Sequence, residues 1–97
     1  MDILQRSYTY YYSTCRDISS KCWEELGALK REFKSDTNQY KAIDNLQVTF
    51  YSLKDANKNA IKYVDNEEYK YFEKYENNCT LAGQFYDTYE TLKRELQ

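Results

Sequence analysis

Apolar side chains at Leu4, Tyr8, Tyr11, Cys15, Ile18, Cys22, Leu26, Leu29 and Phe33 recur at intervals that alternate between three and four residues. That spacing draws one stripe along about eight turns of a helix. It also settles the reading of the segment SYTYYYSTC at residues 7–15, whose tyrosines and threonines favour a strand by propensity. Tyr8, Tyr10 and Tyr12 alternate at period two, but nothing before or after them continues the alternation, so the longer pattern wins. Gly27 falls inside this helix at a cost of about 1 kcal/mol relative to alanine. Beside Ala28, it leaves room for a neighbouring helix to come close.

A polar cluster, KSDTNQY at residues 34–40, interrupts the pattern. Asp36 stands three residues before Gln39, the arrangement of a capping box, and predicts a second helix starting here. Its stripe is Ile43, Leu46, Phe50, Leu53, Asn57, Ala60 and Val64. Asn57 is the one polar member; it either fixes the register of a seam or lies at a wet edge. Beyond Val64 the phase slips, because Glu67 and Glu68 occupy the next apolar positions. Asp65, with Glu68 as its partner, predicts a cap and a third helix. The third stripe is Tyr71, Tyr75, Ala82, Phe85, Tyr89, Leu92 and Leu96, interrupted at Asn78. The NNCTLAG segment at residues 77–83 either kinks this helix or divides it, with Thr80 as a new cap.

The chain has no proline and two glycines in 97 residues, which leaves tight β-hairpins almost no turn residues to use. The expected fold is all-α, a single domain over residues 1–97 forming an antiparallel three-helix bundle. The alternative is a long helical hairpin that closes its seam by forming a homodimer. Leu26, Leu29, Phe50, Leu53, Phe85 and Leu92, all on stripes, are the expected core.

Several functions lack their residues. There is no histidine, hence no ordinary base titrating near neutrality and no Ser-His or Cys-His pair. There is no glycine-rich phosphate loop. Glu24 with Glu25, and Glu67 with Glu68, are sequence neighbours pointing about 100° apart on a helix, so they do not converge on one substrate. No enzyme activity, cofactor or metal site is expected. Cys15, Cys22 and Cys79 read as reduced, buried small hydrophobes: Cys15 and Cys22 lie about 10.5 Å apart along a helix, too far for a disulfide. Neither a signal peptide nor a membrane span is visible, so a soluble cytoplasmic protein with no membrane partner is expected. Lys54, Lys58 and Lys62 make a row on the second helix, but a net charge of −2 gives too thin a basic footprint for nucleic acid.

Twelve tyrosines stand out, with one tryptophan and four phenylalanines. Tyrosine offers a large contact area, few torsions to freeze and a hydroxyl that tolerates water, which suits binding surfaces. A composition rich in Tyr, Asn and Lys together, with half the tyrosines on core stripes, is the bland counterpart. The expected function is to bind another protein, as an adaptor or an inhibitor of a larger machine, of the kind a phage would encode against host defence. Val48 and Tyr51, more than about 100° from the centre of the second stripe, and Tyr10 on the outside of the first helix, are the candidate partner-binding residues. Tyr12 and Trp23, sharing a flank of the first stripe, complete the set; a cover of Trp23 by the third helix is the competing expectation. A third possibility is a helical protein that sequesters a small ligand in an aromatic pocket.

The length, the helical character and the segment YDTYE, where Tyr86 precedes Glu90 by four residues, are similar to the WXG100 group of small partner proteins of type VII secretion. In that group a Tyr-x-x-x-Asp/Glu tail acts as an export signal, and the resemblance implies such a role for Tyr86 and Glu90. Tyr40 to Asp44, Tyr51 to Asp55, Tyr63 to Glu67 and Tyr69 to Glu73 repeat the same spacing. The group's Trp-x-Gly turn is absent, since Glu24 and Glu25 follow Trp23.

Overall fold

Three helices account for nearly all of the computed structural model, which describes residues 2–96: α1 (Ile3–Lys30), α2 (Asn38–Asn66) and α3 (Tyr69–Glu95). They run up, down and up as an all-α three-helix bundle, and the described residues contain no strand. Asp2 caps α1 by accepting from the Gln5 backbone N–H at 2.7 Å. The helix ends at Lys30, three residues short of the last member of its stripe. Its final carbonyls tighten into three-residue turns, with Glu32 N–H donating to Leu29 O and Phe33 N–H to Lys30 O.

Cap chemistry differs from the sequence expectation at both junctions. The cap of α2 is Thr37, whose hydroxyl accepts from Tyr40 N–H at 3.1 Å. Asp36, one residue earlier, is in the loop. At the second junction Asp65 is helical, and the chain turns at Glu67, which takes left-handed backbone angles (φ 54°, ψ 25°) while its N–H closes on Tyr63 O at 2.7 Å. Glu68 then opens α3 without a side-chain cap. The phase slip therefore marked the junction but not the residue that makes it. Thr80 caps nothing: α3 is continuous through residues 77–83, and the Thr80 hydroxyl donates to Glu76 O one turn back.

The middle helix is packed on both sides. The backbones of α1 and α3 stay more than 8 Å apart everywhere, while each packs along α2. The buried residues among those described follow from this: six of the eight, Ala42, Gln47, Thr49, Ser52, Ala56 and Ala60, belong to α2, with Ser19 of α1 and Ala82 of α3. Small side chains let helix axes approach, and the contact Asn59 Nδ2 to Asn78 Oδ1 at 2.8 Å sets an antiparallel register that brings Ala56 opposite Ala82. The core is thus alanine and small polar groups. Leu26, Phe50, Leu53, Phe85 and Leu92 are only half-buried, and Leu29 is 43% exposed, because α2 spends its buried positions on two neighbours.

Polar contacts across the seams fix α1 on α2. Gln5 Nε2 donates to Val64 O at 3.1 Å, Gln47 Nε2 to Trp23 O at 3.1 Å, and Lys30 pairs with Asp44 at 2.9 Å. Asn57, by contrast, donates back to Leu53 O of its own helix and joins nothing across the seam, so it is the wet-edge residue. The Gln47 amide occupies the space beside Gly27, where a Cβ would stand 2.7 Å from Nε2. The glycine is where α1 makes room for its neighbour.

Two stability predictions follow from these positions. Gly27→Ala gains about 1 kcal/mol of helix propensity but displaces a buried amide from its carbonyl, which costs about 1–3 kcal/mol, so it is expected to destabilise by about 1 kcal/mol. In a Gln47→Ala background the clash is gone, and the same change is expected to stabilise by about 1 kcal/mol; urea melts of the four proteins read the reversal of sign. Glu67→Gly is expected to raise stability by about 1 kcal/mol, since glycine occupies the left-handed region without the Cβ penalty. An unchanged denaturation midpoint would show that this turn is relaxed in solution.

Candidate interaction face

On α1 the side chains that make hydrogen bonds, ion pairs or ring contacts to α2 or α3 are Gln5, Tyr12, Trp23 and Lys30, and Ser19 is buried in line with them. Each stands one residue after a member of the apolar stripe: Leu4, Tyr11, Ile18, Cys22 and Leu29. One residue is about 100° of helix rotation, so the stripe lies to one side of the seam with α2 and not on it, with Cys15, Cys22 and Leu26 half-buried. Ile18 is 58% exposed and Tyr11 60%; Leu4, Tyr8 and Leu29 are exposed as well.

The stripe of α2 opens on the same side. Its α1-facing positions are Tyr40, Asp44, Gln47, Tyr51 and Lys54, and its α3-facing ones include Asn59 and Tyr63. Ile43, Leu46, Phe50, Leu53 and Val64 lie between those two directions. Shared cavities tie the stripes together at both ends. Leu4 and Tyr8 share one with Val64, and Phe33 another with Ile43, Tyr89 and Leu96. A groove therefore runs along α2, walled by the stripe of α1 on one side and by α3 on the other.

Aromatic rings close part of it. Tyr12 and Tyr75 meet edge to face at 6.3 Å between centroids, and Tyr63, Phe72 and Tyr75 form a chain at 5.5 and 6.5 Å. With Tyr8, Ala60 and Val64 they line a half-open cavity of about 280 Å³. Burial, and then contact with Cys79, pushes the Tyr75 hydroxyl up to about 12. The Tyr11 hydroxyl is raised by its hydrogen bond to Cys15. All three cysteines are free thiols, and half-buried where full burial was expected. Among the described residues, no group of three or more Cys, Asp or Glu is placed to hold a metal ion, and no helix is long and apolar enough to cross a membrane.

The five residues singled out from sequence do not make one surface. Tyr10 is 76% exposed on the outer side of α1. Val48 is half-buried and not exposed, because it lies on the back of α2 between two flanking helices that shade it. Tyr51 is exposed but packs on Trp23 at 6.2 Å, with Lys54 5.8 Å from each ring. Trp23, still 36% exposed, is thus only partly covered, and from α2 and not by the third helix. Tyr12 alone enters the groove. Lys62 lies over Tyr71, so two of the three lysines in the α2 row are drawn onto aromatic faces. The signal for the groove was present in the sequence as the α1 stripe itself, read as core.

No protein family matches the chain, and no curated protein or solved structure does either. Tyr86 and Glu90 meet one turn apart on α3, where the carboxylate raises the Tyr86 hydroxyl, and Glu90 also pairs with Lys93.

Tyr75 carries the pH prediction. An unfolded tyrosine ionises near pH 10 and the folded one near 12, so the native state holds the extra proton between them. Stability is then fully present below pH 10 and falls as pH rises from about 10 to 12. Tyr75→Phe is expected to flatten that part of the decline, measured by urea unfolding at stepped pH. An identical slope in the variant would place the Tyr75 hydroxyl in open water.

Proposed function

We propose that this chain is a non-enzymatic helical module that binds another protein through its apolar groove, as an adaptor or an inhibitor of a larger machine. The observation that carries the reading is the rotation of the α1 stripe to one side of its seam with α2. A stripe that long costs solubility if left bare, and contiguous exposed apolar groups on a small protein mark contact surfaces. Tyrosines at its rim add contact area at low entropic cost.

A second reading, sequestration of a small ligand, is favoured by the 280 Å³ aromatic cavity, close to the lower limit for ligand sites. The two readings separate in one experiment. Affinity capture from the native host, followed by mass spectrometry of both proteins and small molecules, is expected to return a protein. Ile18→Glu with Leu29→Glu changes exposed positions and leaves the helical circular dichroism intact, yet is expected to lose that protein. Val48→Ser with Tyr51→Ser is expected to keep it. A bound metabolite without a protein partner would favour the ligand reading, and loss only in the Val48/Tyr51 variant would move the site to the back of α2.

A further inference from the structure

We infer that the occupant of the groove face in the resting protein is a second copy of this chain, an inference that rests on the face being a protein-docking surface. Three observations converge on it. The first is area. A folded monomer of 11.8 kDa is expected to expose about 5,900 Å², and this one exposes 6652 Å². The excess of roughly 700 Å² goes with an elongated body, and a standard interface takes ~800 Å² from each partner. The molecule measures 49 × 22 × 18 Å, so its broad side can supply that contact.

The second is chemistry. Along the stripes the groove is apolar from Leu4 through Tyr11, Ile18 and Leu29 on α1 to Phe50 and Leu53 on α2, and charge enters only at its two ends, Asp2 and Glu67 at one and Lys93 at the other. A face with an apolar middle and ends of opposite sign does not select a partner of one charge. What complements it is a second such face set antiparallel, and this chain provides one of equal length and width. A two-fold axis through the face would make it self-complementary, the arrangement of most homodimers.

The third is the poverty of the monomer's interior. Among the described residues no large side chain is fully buried, and the buried apolar residues are four alanines. Face-to-face pairing would cover the half-buried leucines and phenylalanines that a single copy leaves wet. Residues of a core would then be completed across the two-fold axis.

The native thiols report on the face without any added label. Cys15 and Cys22 belong to the α1 stripe, and Cys79 contacts Tyr75 in the groove. Sedimentation equilibrium from about 1 to 100 µM, with maleimide labelling rates at each concentration, is the test. A dimer is expected, with thiol labelling that slows as the dimer fills. Ile18→Glu puts one carboxylate per copy into the contact and is expected to weaken association at least about tenfold, with helical content unchanged and labelling fast. A monomer throughout, with fast thiols, would overturn the second copy and leave the docking reading to stand on capture. A dimer that keeps fast thiols and ignores Ile18→Glu would overturn both, since association would then use another side of the molecule. Should Ile18→Glu fail to fold, Leu4→Glu at the end of the stripe is read in its place by the same outcomes.

Discussion

A helix with neighbours on two sides must give up its large side chains along both seams. Helix α2 is in that position, and its buried residues are alanine, serine, threonine and one glutamine. Small groups let the axes approach, and a close approach turns many weak dispersion contacts into the main attraction. The large apolar residues of α2 are left for a third direction, where no helix of the same chain sits. Everything else about the groove follows from that division. Its floor is the α2 stripe, and its walls are whatever α1 and α3 present on that side.

Alanine and serine seams specify position poorly, because a slide along the axis exchanges one small residue for another. Polar contacts across the seams remove that freedom. Gln47 on the Trp23 carbonyl, Gln5 on the Val64 carbonyl and Asn59 on Asn78 each need one register. A net gain of about 1 kcal/mol apiece is modest, while the desolvation cost of leaving a buried amide unpaired makes neighbouring registers worse. The ion pair of Lys30 and Asp44, partly open to water, adds on the order of 1 kcal/mol or less but anchors the end of α1 where the helix gives way to turns. Gly27 belongs to the same device, since the Gln47 amide could not lie flat against α1 over a Cβ.

Helix number, class and junctions were legible in the sequence, because they depend on periodicity and on its interruptions. The residues that make the junctions were not. Thr37 and Asp36 are both good caps one position apart, and a glutamate in the left-handed region is something no propensity suggests. The misplaced core has a more general cause. A stripe of Leu, Ile, Tyr and Cys on α1 has the same appearance whether it packs inside the monomer or outside it, since periodicity reports one apolar face and not what covers it. The packed face of α1 carries Gln5, Tyr12, Ser19, Trp23 and Lys30, which no hydrophobicity pattern would select. Likewise Val48 was expected outside from its angle alone, and the angle was sound; the flanking helices that shade it belong to tertiary structure.

The composition of the groove also bears on how long it can remain open. A face of leucine and phenylalanine alone would drive indiscriminate association, since each fully buried side chain of that size contributes about 1.5–3 kcal/mol wherever it finds cover. Here Tyr8, Tyr11, Tyr12 and Tyr75 carry much of the area toward one end. A tyrosine keeps its hydroxyl in water while its ring lies on the groove, so the open state costs less than its apolar area implies. The Tyr11 hydroxyl reaches Cys15 and the Tyr75 hydroxyl reaches Cys79, which gives those rings internal partners when no occupant is present. An open groove that is tolerable in water, and still gains on being covered, suits a surface that closes and reopens.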